Sequence, residues 1–206
     1  MKFKQLLLLF FITLSTITFA QPSARDQKMS QLIKENYALA NAQYLYMMKQ
    51  VPSDRMPQSY DEKTNTLVSK EITWWCTGFY PGSLLYIYEQ TKDETIKAEA
   101  LRALKVIEPN QTYTGNHDLG FMMFCSFGNA NRLNPSPEYA EILMNSAKSL
   151  ASRFDEKVGC IKSWDAKDDS YLVIIDNMMN LELLFWASEY SGDKSYYDIA
   201  IKHANT

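Results

Sequence analysis

Three apolar runs in this sequence are each preceded by a side chain that can take part in chemistry. Trp75 precedes the first run, His117 and Asp118 precede the second, and Asp176 precedes the third. Carboxyl groups that face one another can act as general acid and base. Helix starts also carry free N–H groups and the positive end of the helix dipole, which favour an anionic ligand. The pattern predicts an active site at the place where the starts of these apolar runs come together.

Each of these residues also has a purely structural interpretation when it is taken alone. Asp is a preferred N-cap, worth about 1 kcal/mol over Ala, and this would account for both Asp118 and Asp176. Trp75 would be a core residue, and His117 a polar residue with its hydrogen bonds satisfied. The functional interpretation is favoured because the four residues hold equivalent positions in three successive repeats.

The segments that carry these residues have the sequence pattern of a repeated helical hairpin. A first helix is predicted from Met29 to Met48, followed by a polar loop from Pro52 to Lys70. An apolar helix, a short polar turn and an amphipathic helix then recur three times. These copies cover Trp74–Ile107, Asn116–Phe154 and the chain from Ile175 onward, with turns at Gln90–Glu94, Asn134–Pro137 and Ser191–Lys194.

Apolar first helices and amphipathic second helices predict an all-α toroid, with an inner ring of buried helices covered by an outer ring. The predicted fold class is an (α/α)6 barrel, and a straight solenoid is the second choice. About seven helices are counted where six hairpins need twelve. We therefore expect residues 21–206 to be the N-terminal part of the barrel domain, with its C-terminal part missing.

The first twenty residues are predicted to be a cleavable signal peptide. Lys2 and Lys4 precede the apolar run Leu6–Phe19, and Thr18 and Ala20 supply the small residues of a cleavage site. The run is shorter than the roughly 20 apolar residues that span a bilayer. We expect a periplasmic or secreted protein without stable membrane association after cleavage.

Composition excludes several classes of function. The net charge is −3 and no basic run occurs, so nucleic acid is not an expected partner. Three cysteines exclude a dense disulfide framework. The chain has two histidines and no phosphate loop, nucleophile elbow or HExxH motif, so neither a metal nor a cofactor is predicted. The acidic segment 165–169 is interpreted as a solvated turn, because its spacing is not that of a calcium loop.

Three motifs together resemble the unsaturated glucuronyl hydrolases of glycoside hydrolase family 88, in particular the Bacteroidetes-type members. They are Trp74–Gly82, Asn116–Phe121 and Ile174–Leu181, in this order, with Cys76-Thr77 departing from the usual pair. The resemblance implies a six-hairpin α/α barrel that acts on unsaturated uronic-acid oligosaccharides. An enzyme of this family is expected to remove the unsaturated glucuronic acid that lyases leave at the non-reducing end, by hydrating the C4=C5 double bond.

The resemblance also implies roles for single residues. Asp176 takes the position of the family's main acid/base, Asp118 that of its second essential aspartate, and Trp75 and His117 those of sugar contacts. A carboxylate at Asp118 is expected to favour the protonated form of Asp176. Two alternatives stay open: an unsaturated rhamnogalacturonyl hydrolase, and a non-catalytic helical-repeat protein that binds glycans. The polysaccharide is left open too.

Overall fold

Helices form most of the chain, as the sequence predicts. The computed structural model describes residues 23–206, so the predicted signal peptide lies outside the described residues. The helices are α1 (Ala24–Met47), α2 (Phe79–Thr91), α3 (Glu94–Ile107), α4 (Asn129–Leu133), α5 (Pro137–Ala151), α6 (Asn177–Ser191) and α7 (Lys194–Asn205). Within residues 23–206 none of the helices has both the length and the apolar character to cross a membrane.

The predicted hairpin repeat is present. Helices α2 and α3 pack together, as do α6 and α7, and both pairs are joined by the same type of turn. Lys92 and Gly192 end α2 and α6 in the left-handed conformation, with φ of 58° and 77°. Asp93 and Asp193 then cap α3 and α7 by accepting backbone N–H bonds. The aligned turns are therefore one structural unit used twice.

The amphipathic helices bury one face each, as predicted. In α3 the buried apolar residues recur at helical spacing, and α5 follows the same pattern; they are Ile96, Ala100, Ala103, Leu104 and Ile107, and Ala140, Ile142, Leu143, Ala147 and Leu150. Helix α6 differs from the prediction of burial on all sides. Leu181 and Leu184 are fully or almost fully buried, while Met178 and Met179 are 41% and 66% exposed. Within residues 23–206, α6 is covered on one side only.

The polar segment predicted as a loop between residues 52 and 70 is instead a β-hairpin. Strand β1 (Met56–Asp61) pairs antiparallel with β2 (Thr66–Lys70). The Asp61 side chain accepts the N–H of Lys63 at 2.9 Å, which stabilises the tight connection. The prediction was wrong because β1 contains several polar residues and three consecutive exposed positions. It therefore lacks the apolar–polar alternation that marks a strand in the sequence.

The second repeat contains a π-helix, Gly120–Gly128, where an ordinary helix was predicted. It continues directly into α4. After α5, strands β3 (Phe154–Asp155) and β4 (Cys160–Ile161) form a small hairpin. The chain beyond β4 stays extended, since Trp164 bridges Asn116 in antiparallel fashion. This extended segment connects the region before the π-helix with the region before α6.

The three cysteines are unpaired: Cys160 is buried, and Cys76 and Cys125 are partly buried. The acidic segment 165–169 is exposed apart from Ala166, in agreement with a solvated turn.

Candidate active site

Two glycines let the starts of the inner helices approach one another closely. A Cβ on Gly78 would overlap the carbonyl oxygens of Phe121 and Met122 in the π-helix. A Cβ on Gly120 would lie 2.5 Å from the Cα of Asn180 in α6. Only glycine fits where backbones are this close. The segments that carry the candidate residues are therefore held together at one end of the fold.

Asn180 links the start of the π-helix to the start of α6. Its side chain is fully buried. Its Oδ1 accepts the N–H of Phe121 at 2.9 Å, and its Nδ2 donates to the carbonyl of Asp176 at 3.4 Å. A buried amide bonded on both sides fixes the relative position of the two helices. It thereby fixes the spacing of Asp118 and Asp176.

His117, Asp118 and Asp176 form one cluster, as the repeat register predicts. His117 Nε2 lies 3.5 Å from Asp118 Oδ1 and 3.7 Å from Asp176 Oδ1. One imidazole nitrogen of His117 and one carboxylate oxygen from each aspartate all lie within 4.8 Å of one another. This spacing would also suit a bound cation. Their exposure differs sharply: the side chains of His117, Asp118 and Asp176 are 1%, 9% and 39% exposed.

The two aspartates do not act as helix caps. Asp176 occupies the N-cap position of α6, yet its side chain makes no capping hydrogen bond. The π-helix likewise has no side-chain cap, and only the backbone carbonyl of Asp118 bonds into it. The capping interpretation of these residues is therefore wrong. A buried oxygen of Asp176 and Nε2 of His117 have no hydrogen-bond partner among the described residues.

Burial sets the protonation of the cluster. It raises the pKa of Asp118 to about 6, and the nearby charge of Asp176 adds to the rise. Burial also lowers the pKa of His117, although the Asp176 carboxylate opposes this. At neutral pH the imidazole is therefore uncharged. Asp118 therefore holds its proton below about pH 6.

Trp75 is a partly exposed ring and not a core residue. It is 42% exposed. Its indole makes edge contacts with Phe79 and Phe121, at centroid distances of 5.8 and 6.0 Å. Phe121 lies three residues after Asp118, so Trp75 faces the same end of the fold. His117, Asp118 and Asp176 lie together within 4.8 Å, whereas the ring contacts of Trp75 are with Phe79 and Phe121.

Several residues at this site were not singled out from the sequence. Trp164 is 40% exposed and makes an edge contact with His117 at 5.9 Å. Ser163 is fully buried and lies 3.3 Å from Nδ1 of the same imidazole. Asn177 and Asn180 lie inside the third motif and are fully buried. Their polarity within an apolar run is a signal for the two asparagines, whereas nothing local marks Ser163.

Comparison with curated proteins places the chain in a known family, although no family model matches it. The chain is 34% identical over its whole length to the unsaturated glucuronyl hydrolase of Formosa agariphila, of which it covers 52%. It is also 34% identical to the unsaturated chondroitin disaccharide hydrolase of Streptococcus pyogenes, over 68% of this chain and 37% of that one. The chain spans about half the length of the Formosa relative.

Solved structures agree with the sequence comparison. An unsaturated glucuronyl hydrolase specific for heparin superposes with a TM-score of 0.78 and 37% identity, over 84% of this chain and 46% of that one. The unsaturated glucuronyl hydrolase of Bacillus sp. GL1 gives a TM-score of 0.68 and 30% identity, over 74% and 42% of the two chains. The predicted helical-barrel fold is thereby confirmed over about half of the barrel. The chain belongs to the unsaturated glucuronyl hydrolase family.

Proposed function

We propose that the protein removes unsaturated glucuronic acid from the non-reducing end of lyase-generated oligosaccharides by hydrating the C4=C5 double bond. The observation that carries the proposal is the cluster of His117, Asp118 and Asp176, in which a buried carboxyl group with a pKa of about 6 lies beside an accessible one. Relatives named as hydrolases of unsaturated glucuronyl and chondroitin disaccharides support the choice of substrate class.

The two carboxyl groups have different parts in this proposal. Asp176 is 39% exposed and can touch a substrate, whereas the Asp118 side chain is 9% exposed and lies behind it. Asp118 holds its own proton up to about pH 6, with its carboxyl group within 4.8 Å of Asp176. Asp176 then serves as the acid and base that contacts the sugar.

The proposed reaction needs one cycling carboxyl group. The C4=C5 bond of the substrate is conjugated with the ring oxygen, as in a vinyl ether. Protonated Asp176 gives its proton to C4, and positive charge develops at C5 and the ring oxygen. The resulting carboxylate takes a proton from a water molecule while that water attacks C5. The hemiketal so formed opens its ring and releases the linked sugar, and Asp176 is protonated again.

Trp75 and His117 have different parts in this scheme. The exposed face of Trp75, supported by Phe79 and Phe121, offers an apolar surface for a sugar ring. His117 is 1% exposed, so it acts in this scheme on the two carboxyl groups beside it; its Nε2 has no hydrogen-bond partner within residues 23–206. No metal or cofactor is required by this chemistry.

The test is turnover of unsaturated disaccharides by the full-length protein. The ultraviolet absorbance of the C4=C5 bond should fall with time, and Asp176→Asn should abolish the fall. Heparin- and chondroitin-derived disaccharides are both tested, because relatives with these specificities are known. Turnover of an unsaturated rhamnogalacturonyl disaccharide alone would favour the alternative hydrolase. Binding without turnover by a folded protein would favour a glycan-binding role.

We also propose that the protein is exported and that its barrel domain begins at Gln21. The support is the basic, apolar and small-residue order of residues 1–20. N-terminal sequencing of exported protein should give Gln21 as the first residue. A mature chain that still begins at Met1 would contradict the proposal.

A further inference from the structure

Ser163 is a junction between the two segments that carry the aspartates. Its carbonyl accepts the N–H of His117 at 2.9 Å, and its own N–H donates to the carbonyl of Leu172 at 2.8 Å. Its hydroxyl accepts the N–H of Ile174 at 3.1 Å and lies 3.3 Å from His117 Nδ1. The residue is fully buried. All its polar groups are therefore used within the protein.

The hydroxyl group can supply one proton to a neighbour. Ile174 is a donor to this oxygen, so the serine proton has to point elsewhere. Among residues 23–206, the acceptor that the structure places next to it is Nδ1 of His117. A neutral imidazole that accepts at Nδ1 carries its proton on Nε2. That nitrogen faces Asp118 and Asp176 at 3.5 and 3.7 Å.

We propose that Ser163 is a positioning residue, which donates its hydroxyl proton to His117 Nδ1 and thereby holds the imidazole in the tautomer whose Nε2–H faces the two carboxyl groups. In the other tautomer, a nitrogen lone pair would face carboxylate oxygens, and this arrangement is repulsive. An N–H between the two groups stabilises whichever of them is ionised, while the other holds the proton. The catalytic consequence rests on the proposed function; the tautomer does not.

The tautomer can be read directly in the wild-type, full-length protein by long-range ¹H–¹⁵N correlation spectroscopy of the histidine rings. His203 serves as an internal reference, because its Nδ1 accepts the N–H of Ile161 at 2.9 Å. The neutral rings of His117 and His203 should both show an unprotonated Nδ1 and a protonated Nε2. A protonated Nδ1 in neutral His117 would overturn the proposal. This measurement needs no variant and no substrate.

Ser163→Ala separates the positioning role from a merely structural one. Without the hydroxyl, the His117 signal should shift toward a mixture of tautomers, while His203 stays unchanged. We expect kcat to fall more than about tenfold with KM nearly constant, but less than the roughly 10²–10⁴-fold attributed to a general acid–base. Ser163→Thr, which keeps a hydroxyl group, should restore the His117 tautomer and part of kcat.

Ser146→Ala is the matched control. Ser146 is another fully buried serine, and its hydroxyl donates to the carbonyl of Ile142 at 2.8 Å within α5. This variant should leave both the tautomers and kcat unchanged. An unchanged His117 signal or an unchanged kcat in Ser163→Ala would refute the positioning role. If the wild-type enzyme hydrolyses no unsaturated disaccharide while the tautomer is as expected, the proposed function fails and the assignment of Ser163 to the tautomer stands.

Discussion

Replacing Asp118 by Asn should stabilise the protein at neutral pH. The carboxyl group of Asp118 is almost fully buried and accepts no hydrogen bond from a backbone N–H of the described residues. Asn has nearly the same shape and no charge at any pH. Its amide group can also donate to the carboxylate of Asp176, which lies in the same cluster.

The expected magnitude follows from the pKa of Asp118, which burial raises from 3.8 to about 6. Below pH 3.8 the group is protonated in both the folded and the unfolded chain, so its burial costs the folded protein none of this stability. As the pH rises to about 6, the unfolded chain ionises first and this stability is lost. At about 1.36 kcal/mol per pKa unit, the loss at pH 7 is about 3 kcal/mol. Asp118→Asn avoids that loss.

The assay is thermal unfolding of the wild type and the variant at pH 4 and pH 7. For a chain of 206 residues, about 3 kcal/mol corresponds to a melting temperature higher by roughly 6–12 °C at pH 7. The gain should nearly vanish at pH 4. Asp198→Asn, on the exposed side of α7, is the control and should give no such pH-dependent gain. An equal difference at both pH values, or a less stable variant at pH 7, would refute the reasoning.

The remaining predictions concern catalysis and the geometry of the site. Asp176→Asn should lower kcat roughly 10²–10⁴-fold with KM nearly constant and with little change in melting temperature, because Asp176 makes no capping bond; a normal kcat would remove it from the mechanism. Activity should fall as the pH rises above about 6, where Asp118 loses its proton, and this limb of the pH profile should be absent in Asp118→Asn; an unchanged limb would show that Asp118 does not set it. Gly120→Ala should cost about 1–3 kcal/mol in chemical denaturation and reduce activity, since its Cβ would lie 2.5 Å from the Cα of Asn180; wild-type stability and rate would show that the close approach is not needed. Dialysis against a chelator should leave kcat unchanged, and a loss restored by a divalent cation would assign the cluster of His117, Asp118 and Asp176 to a metal.

The repeated hairpins could be predicted because their signals are local. The helical spacing in α3 and α5, and the Asp93 and Asp193 caps, involve residues within a few positions of one another. The β1–β2 hairpin escaped prediction because half-exposed polar strands resemble loops in composition. The π-helix escaped because its apolar run has no feature that separates it from an α-helix.

The site was predictable only where its residues share a register. His117, Asp118 and Asp176 were found because each lies next to the start of an apolar helix. The contacts that hold them in place span long stretches of chain: Asn180 bonds Phe121 across 59 residues, and Ser163 meets His117 across 46. Contacts of this kind depend on how the hairpins pack, and no local pattern records them.

The different roles of the two aspartates likewise depend on how the helices pack. Both residues immediately precede apolar segments, and the family resemblance implied a protonated Asp176 with Asp118 as its charged neighbour. The structure buries Asp118 next to His117, at 9% side-chain exposure, and leaves Asp176 at 39%. Burial therefore raises the pKa of Asp118. A buried group that holds a proton therefore lies beside the accessible group that meets the substrate, and the close approach of Gly120 to Asn180 keeps the two within reach of each other.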